Sequence, residues 1–145
     1  MRSICLFFIA VGILAGPLTR PAAAVMAFYK AFVAEYVDSQ SEPDAAFDRL
    51  VTKDAKCLVC HQGRNREHRN AYGAQLDKLL DKKTDARNNE KIVAALHEVA
   101  KLPADPRDPA GETFGQRIAA GKLPGGTLES LKQEPPKEEP PVKTD

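Results

Sequence analysis

Apolar residues recur along this chain with a helical period, and they predict an all-α domain between two segments of different character. Tyr29, Phe32, Val33 and Tyr36, with Phe28 beside them, share one face and place a first helix over Met26 to Val37. Ser41 can cap a second helix, with Pro43 near its first turn and Phe47, Leu50 and Val51 as its apolar stripe. Gln62 to Arg69 is polar and basic and reads as a loop. Asn70 caps a third helix with Tyr72, Leu76, Leu79 and Leu80 at i, i+4, i+7 and i+8. Asp81 to Asn88 is a charged turn. Asn88 or Asn89 then opens a fourth helix along Ile92, Leu96 and Val99, widened by Val93 and Ala100. Pro103, Pro106 and Pro109 end it. Thr113 with Gln116 is a capping-box pattern, opening a short helix that carries Phe114 and Ile118 and closes at Gly121. No strand alternation of useful length is visible.

The two ends read differently. Ile4 to Ala15 is apolar apart from glycine and cysteine, Arg2 precedes it, and Ala22, Ala23 and Ala24 offer small residues for cleavage. This is the pattern of a secretory signal over residues 1–24, too short and wrongly flanked for a membrane span. Cys5 lies well upstream of the cut, which argues against a lipid-anchored mature cysteine. No other segment approaches the ~20 apolar residues of a membrane helix, so no stable membrane insertion is expected after cleavage. After Gly126 the apolar periodicity fades. Residues 127–145 read as a Pro/Glu/Lys-rich disordered tail, most clearly from Glu134 onward. The expected domain spans residues 25–126.

Charge and composition narrow the function classes. The chain carries 21 Lys and Arg against 20 Asp and Glu. Loss of Arg2 and Arg20 with the signal leaves it near neutral, which argues against nucleic-acid or membrane-surface binding. It has no tryptophan, and aromatics make up 6%. A core built from such side chains alone is small, and a buried apolar cofactor would supply the missing area.

The chemistry is concentrated in Cys57-Leu58-Val59-Cys60-His61. C-x-x-C-H is the attachment motif of haem c: two thiols form thioethers with the two vinyl groups of one porphyrin, and the adjacent histidine is the proximal iron ligand. Other readings of the pair are open. An oxidising compartment allows a disulfide, a redox-active C-x-x-C wants a βαβ setting that is absent, and structural zinc wants four ligands.

Lys56 to Gly63, Arg69-Asn70-Ala71-Tyr72-Gly73, and Thr113-Phe114-Gly115 through Gly121-Lys122-Leu123-Pro124-Gly125 resemble segments of monohaem c-type cytochromes, in particular the small exported cytochromes c of planctomycete type. The resemblance implies a small cytochrome c-like helical domain around one covalent haem, with Cys57 and Cys60 as thioether links and His61 as axial ligand. It implies an electron carrier, periplasmic or otherwise exported, that exchanges electrons with redox partner proteins outside the cytoplasm. It supplies no sixth ligand, because Leu123 stands where many such proteins carry methionine, and leucine has no lone pair.

The sixth-ligand candidates are Met26, His97 and His68. Met26 is the only methionine left after cleavage, His97 borders the fourth helix stripe, and His68 comes soon after the attachment motif. An open site is the alternative and would suit a haem-based small-molecule binder or weak peroxidase. A third, haem-free reading is a disulfide-stapled helical interaction module. Arg64, Arg66 and Arg69 read as a solvated loop, or as partners for haem propionates or an acidic redox protein. Tyr72 reads as core with its hydroxyl near the surface.

Overall fold

The computed structural model describes residues 22–40, 44–64 and 67–135. Residues 1–21, Cys5 and most of the expected signal over 1–24 included, lie outside them, as do Ser41, Pro43 and Arg66. The fold is mostly helical, with one small two-stranded ribbon. Helix α1 spans Ala22–Val33 and continues as a wider π-type turn through Ala34–Asp38. Helix α2, Ala45–Arg49, likewise widens into a π-type stretch at Leu50–Ala55. A 3₁₀ turn at Lys56–Val59 comes after it. Next come β1 (His61–Gln62), β2 (His68–Arg69), α3 (Ala71–Leu79), α4 (Asn89–Ala100), α5 (Phe114–Ala119) and α6 (Leu128–Lys132).

The predicted stripes form the core. Phe32 of α1, Tyr72 of α3 and Phe114 of α5 stack edge to face, with ring centroids 5.9 Å and 5.3 Å apart. Ile92, Leu96 and Val99 of α4 are buried, and α4 packs on α1, α3 and α5. The Tyr36 hydroxyl donates to the Leu96 carbonyl at 3.1 Å and fastens the end of the α1 stretch to α4. Caps act where expected at three helices. Asn70 Oδ1 accepts from Gly73 N, Asn88 from Lys91 N, and Thr113 and Gln116 form the full capping box.

The structure corrects the sequence reading at several points. The cap of α2 is Asp44, whose Oδ1 accepts from the Ala46 and Phe47 amides at 2.9 and 3.1 Å, rather than Ser41 three residues earlier. The Gln62–Arg69 loop is an antiparallel hairpin, pairing His61 with Arg69 and Gln62 with His68. Two residues per strand are too few for alternation to show in sequence. Leu79 is 43% exposed, because α3 ends there and the extended backbone of Leu80 turns the next leucine inward instead. The segment from residue 127 is not all tail. Thr127 caps α6, and Leu131 is 2% exposed in the core. Pro136 to Asp145 lie outside the described residues.

The Gly121–Gly125 loop packs inward. Leu123 and Pro124 are buried, and Leu123 joins the main apolar core. The loop lies against Asp44 and Phe47 at the start of α2 and against the Asn70 side chain. Among the described residues no helix is long and apolar enough to cross a membrane.

Candidate functional site

The backbone of residues 56–61 explains how two cysteines come to face one way. A 3₁₀ turn has 3.0 residues per turn, so side chains at i and i+3 eclipse. Cys57 and Cys60 stand at that spacing, and the Cys60 amide donates to the Cys57 carbonyl at 3.2 Å, closing the turn. Val59 points the other way and is fully buried as the anchor. The turn starts with a reversal at Lys56, where φ is +49°, the single non-glycine residue with positive φ among the described residues. Such a backbone costs about 1–3 kcal/mol and persists where its surroundings over-determine it.

Those surroundings are polar. Asn70 is 2% exposed. Its Nδ2 lies 2.9, 3.1 and 3.3 Å from the carbonyl oxygens of Leu58, Val59 and His61, and its own amide donates to the Cys60 carbonyl at 3.2 Å. One residue thus holds four successive carbonyls of the motif while its Oδ1 caps α3. Gly73 completes the fit: a Cβ there would collide with the Cys60 carbonyl, so only glycine lets α3 approach this closely. A Cβ on Gly125 would strike the Asn70 amide from behind. Helix α6 braces the far side, with the Gly63 amide donating to the Leu131 carbonyl at 2.9 Å and the Arg64 amide to Glu134 Oε1 at 2.8 Å.

Cys57, Cys60 and His61 all line one cavity of ≈ 290 Å³. Its apolar walls come from Met26, Phe28 and Tyr29 of α1, from Gly73 and Leu76 of α3, and from Leu80 just beyond. Lys56, Glu67, Arg69, Asp77 and Lys82 supply its charged lining. Both cysteines are free thiols. Burial pushes the Cys60 thiol up to about 12; the neighbouring Cys57 adds to that shift and Arg69 opposes it. Among the described residues no group of three or more His, Cys, Asp or Glu side chains is disposed to hold a metal ion by itself. Two thiols on one face of one turn, beside an imidazole, suit a single apolar ligand with two electrophilic arms and an atom that accepts a nitrogen donor.

The other sequence-predicted residues divide clearly. Met26 is a wall of the cavity. His97 is not: its Nε2 meets Glu35 Oε1 at 2.6 Å, and its side chain is half exposed. His68 also lies off the cavity walls, on β2, 3.8 Å from Glu134 Oε2. Arg69 lies on the cavity, 2.6 Å from Asp77 Oδ1, whereas Arg64 sits on a shallower groove with Lys56 and Lys132. The Tyr72 hydroxyl is not near the surface. The residue is fully buried, its hydroxyl has no hydrogen-bonding partner among the described residues, and burial raises its pKa well above the usual value. Leu123 does not line the cavity.

Sequence reasoning identified Asn70 as a helix cap and missed its second task, which has no local signature. It missed Leu131 as well, although Thr127 with Leu128 and Leu131 is a cap preceding an i, i+3 pair. No family model, no curated protein and no solved structure matches the chain.

Proposed function

We propose that this chain is an exported monohaem c-type cytochrome acting as an electron carrier. The observation that carries the reading is the shared cavity: both thiols of C-x-x-C-H and the adjacent imidazole line it together, on a turn whose period eclipses the two sulfurs. The residues fit haem c. Cys57 and Cys60 would hold it by thioethers, His61 would ligate the iron, and the α1 and α3 walls would exclude water from its faces. When bound, the group supplies reversible one-electron chemistry at iron. The chain's own residues then bind and orient it. Asn70 and Gly73 keep the attachment turn rigid, and Lys56, Arg69 and Lys82 offer positive charge to its carboxylates. The signal-like start supports a location outside the cytoplasm, where redox partner proteins would be met.

The test is expression with a c-type maturation system, then a haem stain on a denaturing gel and a reduced-minus-oxidised spectrum. A stained band that disappears when Cys57→Ala and Cys60→Ala are combined is the expected result. An unstained band from the unaltered chain would overturn the proposal. The same spectrum separates a carrier, with low-spin six-coordinate iron, from a small-molecule binder or weak peroxidase, whose high-spin iron takes up carbon monoxide.

A further inference from the structure

We propose that Met26, on the first turns of α1, is the second protein ligand of the haem iron. The inference rests on the haem reading above. Among the sixth-ligand candidates from the sequence, Met26 alone shares the cavity of Cys57, Cys60 and His61. His97 is held at 2.6 Å by Glu35, and His68 sits on the hairpin facing Glu134. Leu123 is packed into the apolar core and does not line the cavity.

Helix geometry places Met26 well for this role. Met26 and Tyr29 are three residues apart, so they share a face, and both line the cavity. The helix is fixed in that orientation by three contacts: the Tyr29 hydroxyl donates to the Val51 carbonyl at 3.2 Å, Phe32 is fully buried, and Tyr36 is tied to Leu96. Met26 therefore sits one turn beyond an anchored segment. Its side chain is unbranched, with three rotatable bonds and a polarizable thioether. It is 46% exposed, so its thioether is free to move within the cavity. Cleavage after Ala24 would leave Met26 in the terminal turn, which ordinarily frays. Iron ligation would pin that turn, and His/Met ligation would raise the reduction potential.

The chain contains two methionines, Met1 and Met26, so the mature protein carries a single one. Mature holoprotein labelled with methyl-¹³C methionine should show, in the ferrous state, its methyl signal shifted far upfield by the porphyrin ring current. Met26→Leu conserves side-chain volume. It should keep the covalent haem, convert low-spin iron to high-spin, abolish the sulfur-to-iron absorption band of the ferric protein and lower the potential. His97→Ala and His68→Ala should change none of these. A methyl signal at its ordinary position, or a low-spin spectrum surviving Met26→Leu, overturns the inference while haem staining leaves the cytochrome reading intact. Absence of covalent haem in the unaltered protein overturns both.

Discussion

The α1–α4–α5 core and the cysteine-bearing turn at residues 56–61 are held together by different physics. In the core, Phe32, Leu96, Val99, Phe114 and Ile118 are buried by helical periodicity, and several side chains share the load. At the turn, one amide side chain and one missing Cβ set the conformation, because Asn70 gathers four carbonyls and Gly73 clears the way for α3. Apolar packing is non-directional and redundant, so it tolerates exchange. A polar clamp is directional, and its loss strands several buried carbonyls together.

Two substitutions separate these modes most sharply. Leu96→Ala should cost about 2–5 kcal/mol of stability through the cavity it leaves. Asn70→Ala should cost about 2–4 kcal/mol, from hydrogen bonds worth about 1 kcal/mol each and the carbonyls left unmet. Urea unfolding of the haem-free chain measures both. Their reach should differ. Asn70→Ala should speed alkylation of the half-buried Cys60 thiol far more than its effect on global stability accounts for, while Leu96→Ala should speed it only through global unfolding. Equal thiol protection in the two variants would erase the distinction.

Helix α6 extends the contrast to the C-terminal side. Leu131→Ala should cost about 2–3 kcal/mol, as expected of a leucine at 2% exposure. Truncation after Gln133 should change the melting midpoint by the equivalent of about 0.5 kcal/mol or less, since among the described residues the hydrogen bond and ion pair it removes are the exposed ones of Glu134. A large loss on that truncation would show that the brace extends beyond α6. Lys56→Gly should raise stability by up to about 1 kcal/mol, because relief of a backbone at φ +49° outweighs the entropy glycine adds to the unfolded chain. A destabilised Lys56→Gly would mean that the reversal is not strained. The smallest effect is expected two residues beyond the clamp. Tyr72→Phe should leave stability within about 0.5 kcal/mol or raise it slightly, because the buried hydroxyl makes no hydrogen bond among the described residues. A loss above about 1 kcal/mol on thermal unfolding would reveal a partner for it.

The same contrast explains what could be read before the fold was known. Helices α1, α3, α4 and α5 were legible because each repeats its apolar residues every three to four positions, and the caps at Asn70, Asn88 and Thr113 act within three residues of themselves. The C-x-x-C-H motif was legible because it lies in five consecutive residues. Several features were not. The hairpin of two-residue strands, the Asp44 cap, the outward Leu79 and the packed α6 each depend on contacts with distant parts of the chain or on where a helix happens to stop.

By itself the sequence determined the helical class, the positions of most elements and the C-x-x-C-H motif of Cys57, Cys60 and His61, because periodicity, capping and a contiguous motif are local properties of the chain. Only the tertiary structure decided which side chains share the cavity with those three. It turned Leu123 into core, tied His97 to Glu35 and brought Met26 to the cavity wall. The physical reason is that a cavity is bounded by segments far apart in sequence, here α1, residues 56–61 and α3, whose meeting is set by packing rather than by any pattern within one of them.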